Sequence, residues 1–363
     1  MRLLRTVVTR LLLLCAMVAA GAVAGAGAAN AAVPDVWGFA YVNVTSGVPS
    51  MAHQAGSWAA GNVSVSPGVP GEFFVRFPQI GIRGGVAHVT AVSQAAEWCQ
   101  LEKWGQSGSD EIVAVRCYRY GGGPAPDARF TIVFASSSGP LASATQAFGY
   151  VHSDGRSIVS DYNSSLAANT VVHDATGVWT VTMPGLGATS PAGNIQVTAV
   201  DSGSPARCKV GDWSWSAGAQ KFRVLCHNAT TALRDTGWTL TYQRERAITG
   251  AAAPPRFFAY TFDHTPGNAG PYAPAPAGIN FNNAGAVNTV QSAGLGLRLV
   301  RFPAVGSPPD DVQVTAFGAG PGFCNLLTVW GVSGSEAVVR DVACYSGGVR
   351  AAQQAFVTYT SKY

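Results

Sequence analysis

One set of landmarks occurs three times along the 363-residue chain, always in the same order. Phe39-Ala40-Tyr41 recurs as Phe148-Gly149-Tyr150 and Phe258-Ala259-Tyr260, at spacings of 109 and 110 residues. Val75-Arg76-Phe77-Pro78 returns as Val181-Thr182-Met183-Pro184 and Val300-Arg301-Phe302-Pro303. Val89-Thr90-Ala91 returns as Val197-Thr198-Ala199 and Val314-Thr315-Ala316. A cysteine (Cys99, Cys208, Cys324) then precedes a tryptophan (Trp104, Trp213, Trp330), and a second cysteine follows (Cys117, Cys226, Cys344). Each copy closes on an aromatic run: 130–134, 238–242 and 356–359. Self-similarity at this period means one structural unit made three times. The boundaries read as 33–138, 143–247 and 255–363, separated by Ser/Ala/Gly- and Gly/Ala/Pro-rich linkers. Units of about 110 residues are of ordinary domain size. They are expected as domains on a string, with packing around a pseudo-threefold axis as the compact alternative.

The local pattern is β. Ala87, Val89 and Ala91 share one face of a strand, and His88 and Thr90 share the other; the pattern repeats with Gln196 and Thr198, and with Gln313 and Thr315. Period-two alternation predicts one buried and one wet face. Apolar runs punctuated by Gly, Pro, Ser and Asp, with no helical period, predict an all-β protein. The expectation is three tandem antiparallel β-sandwich-like domains of roughly six to eight strands.

Six of the seven cysteines fall two to a copy, at separations of 18, 18 and 20 residues. In an exported chain, pairs within each copy predict the disulfides Cys99–Cys117, Cys208–Cys226 and Cys324–Cys344. A zinc set would need further ligands close by, and no Cys-x-x-Cys redox pair is present.

Export is expected from the N-terminus. Arg2, Arg5 and Arg10 precede or flank an apolar run from Leu11 to about Ala26, and small residues follow. This is the arrangement of a signal peptide over 1–31, with Ala31 and Ala32 at the cleavage point. No later stretch is long and apolar enough to span a membrane. Removing the three arginines takes the net charge from +4 to +1. With 12% charged residues, this gives no electrostatic case for nucleic acid or anionic lipid. At 47% hydrophobic and 10% aromatic, the chain is globular rather than disordered.

Catalytic and cofactor motifs are not found. His53, His88, His152, His173, His227 and His264 occupy positions that carry no histidine in the other copies. Trp104-Gly105-Gln106-Ser107-Gly108-Ser109 lacks the spacing of a nucleophile elbow, and Trp330-Gly331-Val332-Ser333-Gly334-Ser335 repeats it as a turn. Asp127, Asp235 and Asp310-Asp311 precede strands, as turn residues do. No metal ligand set or cofactor motif is expected. Trp104, Trp213 and Trp330 are expected to pack against the disulfides. Trp98 and Trp215, which lack counterparts, are expected at the surface as ligand-binding candidates.

The string Asn194-Ile195-Gln196-Val197-Thr198-Ala199, then Cys208-Lys209-Val210, Trp213, Val224 and Cys226, resembles a repeat of secreted proteins from high-GC Gram-positive bacteria. The resemblance implies secretion and a β repeat, and carries no activity or functional residue. The expectation is therefore a noncatalytic, extracellular or envelope-associated binding protein. Its expected partner is a polysaccharide or another extracellular protein. The alternatives are a hydrolase with a cryptic site between repeats, and a structural oligomer.

Overall fold

Two four-stranded sheets build each repeat. The computed structural model describes residues 35–137, 145–251 and 254–363; the expected signal peptide and its cleavage residues lie outside them. In repeat 1, one sheet runs in the order Gln54–Gly56, Val36–Val42, Arg129–Ser136, Val86–Val92. The other runs Ser64–Pro67, Glu72–Phe77, Asp110–Arg119, Glu97–Ser107. Repeats 2 and 3 reproduce both orders, and repeat 3 adds the short strands Gly331–Ser333 and Val349–Arg350. The all-β, sandwich-like expectation is met. Apart from two short 3-10 turns, the described residues form strands and loops, and none forms a helix long and apolar enough to cross a membrane.

The predicted disulfides are also present, joining residues directly opposite on neighbouring antiparallel strands. The paired Cα atoms lie 4.0, 4.1 and 4.0 Å apart. The Cys117 amide turns away to Gly71 O at 2.8 Å, and that of Cys226 to Gly177 O at 2.9 Å. These are therefore close, non-hydrogen-bonded pairs, which bring side chains nearest together.

The repeats are not beads on a string. The strand carrying Val-Thr-Ala and the strand carrying the first cysteine each lie at the inner edge of their sheet. Each edge meets a neighbouring repeat through a parallel bridge: Leu101 with Val200, Val210 with Phe317, and Leu326 with Val92. Repeat 1 thus joins 2, 2 joins 3, and 3 returns to 1. The result is a closed ring of three sheets, each shared by two repeats, which leaves no inner edge unpaired. The described residues form one compact unit.

Ring closure overturns the expectation of a wet strand face. His88, Thr90, Gln196, Thr198, Gln313 and Thr315 are all buried, because that face meets the other two repeats at the axis. Alternation reported polarity correctly, but the polar side was turned inward. Apolar cores fill each sandwich, such as Phe73, Phe130 and Phe134 in repeat 1. A further cluster, including Trp37, Phe39, Phe148 and Tyr150, joins repeats 1 and 2.

A ring of this kind predicts a scattering radius of gyration of about 20 Å for the mature chain. Three domains in a row would give about 30 Å, so solution X-ray scattering separates the two arrangements.

Candidate functional site

At the axis, three equivalent threonines form a cyclic network. Thr90 Oγ1 donates to Gln313 Oε1 at 2.8 Å and accepts from the Val314 amide at 3.0 Å. Thr315 Oγ1 donates to Gln196 Oε1 at 2.9 Å and accepts from the Val197 amide at 3.0 Å. Thr198 Oγ1 lies 3.1 Å from His88 Nδ1 and accepts from the Val89 amide at 3.4 Å. His88 therefore does the work of the two glutamines. Its Nδ1 takes the acceptor role of their Oε1, leaving Nε2–H to donate to Thr241 Oγ1 at 2.7 Å. Burial agrees with this neutral ring, pushing the His88 pKa down to about 3.

The second link differs between copies. Gln196 Nε2 donates to Asn194 Oδ1 at 2.7 Å, whereas Gln313 Nε2 donates to Asp311 at 3.1 Å. Asp311 occupies the position of Asn194 and also accepts from Thr131. Desolvation in this wholly buried setting raises the Asp311 pKa to about 7, partly opposed by the hydrogen bonds from Thr131 and Gln313.

A cavity of about 50 Å³ lies at the axis, lined by all three Val-Thr-Ala segments and the first cysteines. Trp98, Arg207 and Phe323, the residues before those cysteines, lie at its boundary. The Arg207 guanidinium carbon is 4.7 Å from the Trp98 ring centroid and 4.6 Å from that of Phe323. Trp98 is buried, stacks on Tyr118, and donates from Nε1 to Ala206 O at 3.0 Å. The expectation of a surface Trp98 is corrected. It lacked a Trp counterpart because aromatic–cation–aromatic packing needs unlike residues at one repeat position.

The residues after the first cysteines clamp neighbouring loops in rotation. Gln100 Nε2 donates to Ser204 O at 3.0 Å, Lys209 Nζ to Gly320 O at 2.9 Å, and Asn325 Nδ2 to Ala95 O at 2.9 Å. The recurring tryptophans also reach across repeats. Trp104 lies 4.2 Å from the His152 ring, Trp213 5.8 Å from Phe356, and Trp330 6.0 Å from Tyr41, by ring centroids. Trp213 and Trp330 are buried and Trp104 is half-buried, and all three are joints between repeats.

Two His–Asp contacts resemble catalytic pairs. His53 Nδ1 lies 2.6 Å from Asp310 Oδ1, joining repeats 1 and 3. Asp310 also accepts from Trp330 Nε1 at 2.8 Å and Tyr359 Oη at 2.9 Å, so its oxygens serve a buried joint. His173 Nε2 lies 2.9 Å from Asp235 Oδ1, with both side chains about half exposed, which makes it a weak surface pair. A broad depression of about 700 Å³ adjoins it, lined also by Asp154 and Arg156. Asp154 accepts from the Arg156 and Ser157 amides and serves its own turn. Among the described residues, no group of three or more His, Cys, Asp or Glu side chains is placed to hold a metal.

The outer surface differs between copies. In repeat 1, an open groove of about 260 Å³ is lined by Phe74, Lys103, Trp104, Gln106, Ile112 and Ala114. Phe74 and Ala114 are paired across neighbouring strands. At the same positions repeat 2 carries Thr180 and Arg223, likewise paired, and Lys221 replaces Ile112. Trp215 is 39% exposed and packs edge-on against Trp213, with ring centroids 5.6 Å apart. It is the one predicted tryptophan that presents a surface. Sequence reading passed over Phe74, an aromatic at a position that carries Thr180 in repeat 2 and Leu299 in repeat 3.

No family model matches the chain, and neither do curated proteins or solved structures.

The copies supply their own controls. Asp311→Asn installs the repeat-2 residue. Because the folded pKa is raised, the native chain loses stability as pH rises from about 4 through 7, and the variant is expected to escape that loss. Relative to native, it should gain on the order of 3 kcal/mol at pH 8, read by denaturant unfolding. His88→Gln tests the opposite sign. The lowered histidine pKa costs stability as pH falls below about 6.5. Between pH 7 and 5 the variant should lose on the order of 2 kcal/mol less than native.

Proposed function

We propose that this is an exported, noncatalytic binding protein whose rigid three-repeat ring presents the repeat-1 groove to a polysaccharide. The observation that carries the reading is the groove itself: the half-buried Phe74 and Ile112 offer an apolar surface over the buried Ala114, with Lys103 and Gln106 beside it. Sugar rings pair an apolar face with a hydroxyl rim, which suits an aromatic side chain flanked by amide and ammonium donors. The groove is open to solvent, whereas the buried Asp310 of the His53–Asp310 pair is committed to Trp330 and Tyr359. Three disulfides support export to an oxidising compartment.

A hydrolase between repeats draws only on that His53–Asp310 contact. Among the described residues, no hydroxyl or thiol is bonded to His53 Nε2, where a base would need its nucleophile.

Affinity electrophoresis against soluble cell-wall and plant polysaccharides tests the proposal. The native chain should be retarded by at least one of them. Phe74→Ala should weaken that binding about three- to tenfold, while Trp215→Ala leaves it unchanged. Background mobility in every polysaccharide, or retardation indifferent to Phe74, would overturn the reading.

A further inference from the structure

Arg207 and Lys209 present a problem of charge. Both belong to one strand of repeat 2, both line the axial cavity, and they are only 6% and 3% exposed. Among the described residues, neither forms an ion pair with a carboxylate. Arg207 donates from Nη1 to Ala229 O and from Nη2 to Thr230 O, but its buried Nε has no hydrogen-bond partner among the described residues. Among the described residues, Lys209 Nζ has the single carbonyl of Gly320. The Trp98 and Phe323 rings beside Arg207 supply partial negative faces and no countercharge.

Buried cations without an acid are costly, and an orphaned guanidinium N–H adds to the cost. The strain extends to neighbouring groups. Desolvation, then the charge of Arg207, lowers the Lys209 pKa to about 8. Burial, then Arg207 and Lys209, lowers the His227 pKa to about 4, so this third basic group stays neutral. The equivalent strands have no such problem. Repeat 1 carries Trp98 and Gln100 there, and repeat 3 carries Phe323 and Asn325, all uncharged. The charge imbalance therefore belongs to one side of a cavity that is otherwise pseudo-threefold.

We propose that the axial cavity is a binding site for a small inorganic anion of the halide class, held by Arg207 and Lys209. A single ordered water needs about 10–15 Å³ by this measure. The cavity volume of about 50 Å³ therefore suits a monatomic ion with a water or two and is small for an organic acid. Water alone would satisfy the Arg207 Nε–H as an acceptor, but only an anion also offsets the charge. The site is separate from the repeat-1 groove, so it stands or falls independently of polysaccharide binding.

Two readouts on the full mature chain test the assignment. The first is thermal unfolding in sodium bromide against sodium gluconate at equal ionic strength. Bromide should raise the midpoint progressively with the logarithm of its concentration, by about 4 °C at a hundredfold excess over its Kd. Gluconate is too large to enter and should not. Lys209→Gln installs the repeat-1 residue at that position and should reduce the bromide effect by at least half while leaving the gluconate midpoint equal or higher. Arg207→Phe copies repeat 3 and should abolish the effect. The second readout is anomalous diffraction from crystals grown in bromide, which should place a peak on the axis within hydrogen-bond distance of Arg207 Nε. Equal midpoints in both salts, or a cavity filled by water without an anomalous peak, would overturn the proposal. Should one variant fail to fold, the diffraction experiment on the native chain still decides.

Discussion

The hydrogen bond from a valine amide of one repeat to a threonine hydroxyl of the next is the interaction on which the architecture depends. Each sandwich ends in an inner strand whose outward amides would be unpaired. A buried amide without a partner costs free energy comparable to a lost hydrogen bond. The parallel bridges pair only one position per junction. Thr90, Thr198 and Thr315 satisfy the next amides, and each hydroxyl is in turn oriented by a Gln or His from the neighbouring repeat. The network closes only with three copies in rotation, which ties the repeat number to the chemistry of one residue position.

Around this ring, exact repetition and local deviation have separate consequences. Repeated residues make joints: the threonines, the clamps at Gln100, Lys209 and Asn325, and the tryptophans that contact the next repeat. Residues that break the repeat carry asymmetry. His88 and Asp311 place opposing pH sensitivities in the shared core, Arg207 and Lys209 give the axial cavity its charge, and Phe74 with Ile112 opens a groove on one outer face.

Much of the scaffold was legible in the chain. Cysteine spacing within each copy led to the right disulfides because both partners sit on adjacent strands, a local geometry. Alternation located the inner strands for the same reason. What failed was long-range. The polar face of Val89-Thr90-Ala91 reads as solvent-facing unless two other copies are known to cover it. Trp98 reads as a lone surface aromatic unless its contacts with Arg207 and Phe323, more than a hundred residues away in each case, are known. Trp215 was placed correctly at the surface because its partner, Trp213, is a sequence neighbour.

The central claim is that the three repeats form one cooperative body joined at the axis. Native-state hydrogen exchange of the Val89, Val197 and Val314 amides tests it most directly. The account predicts that all three exchange together, in the slowest class, with a free energy equal to that of global unfolding. Three separate exchange classes, each following the opening of its own repeat, would contradict it.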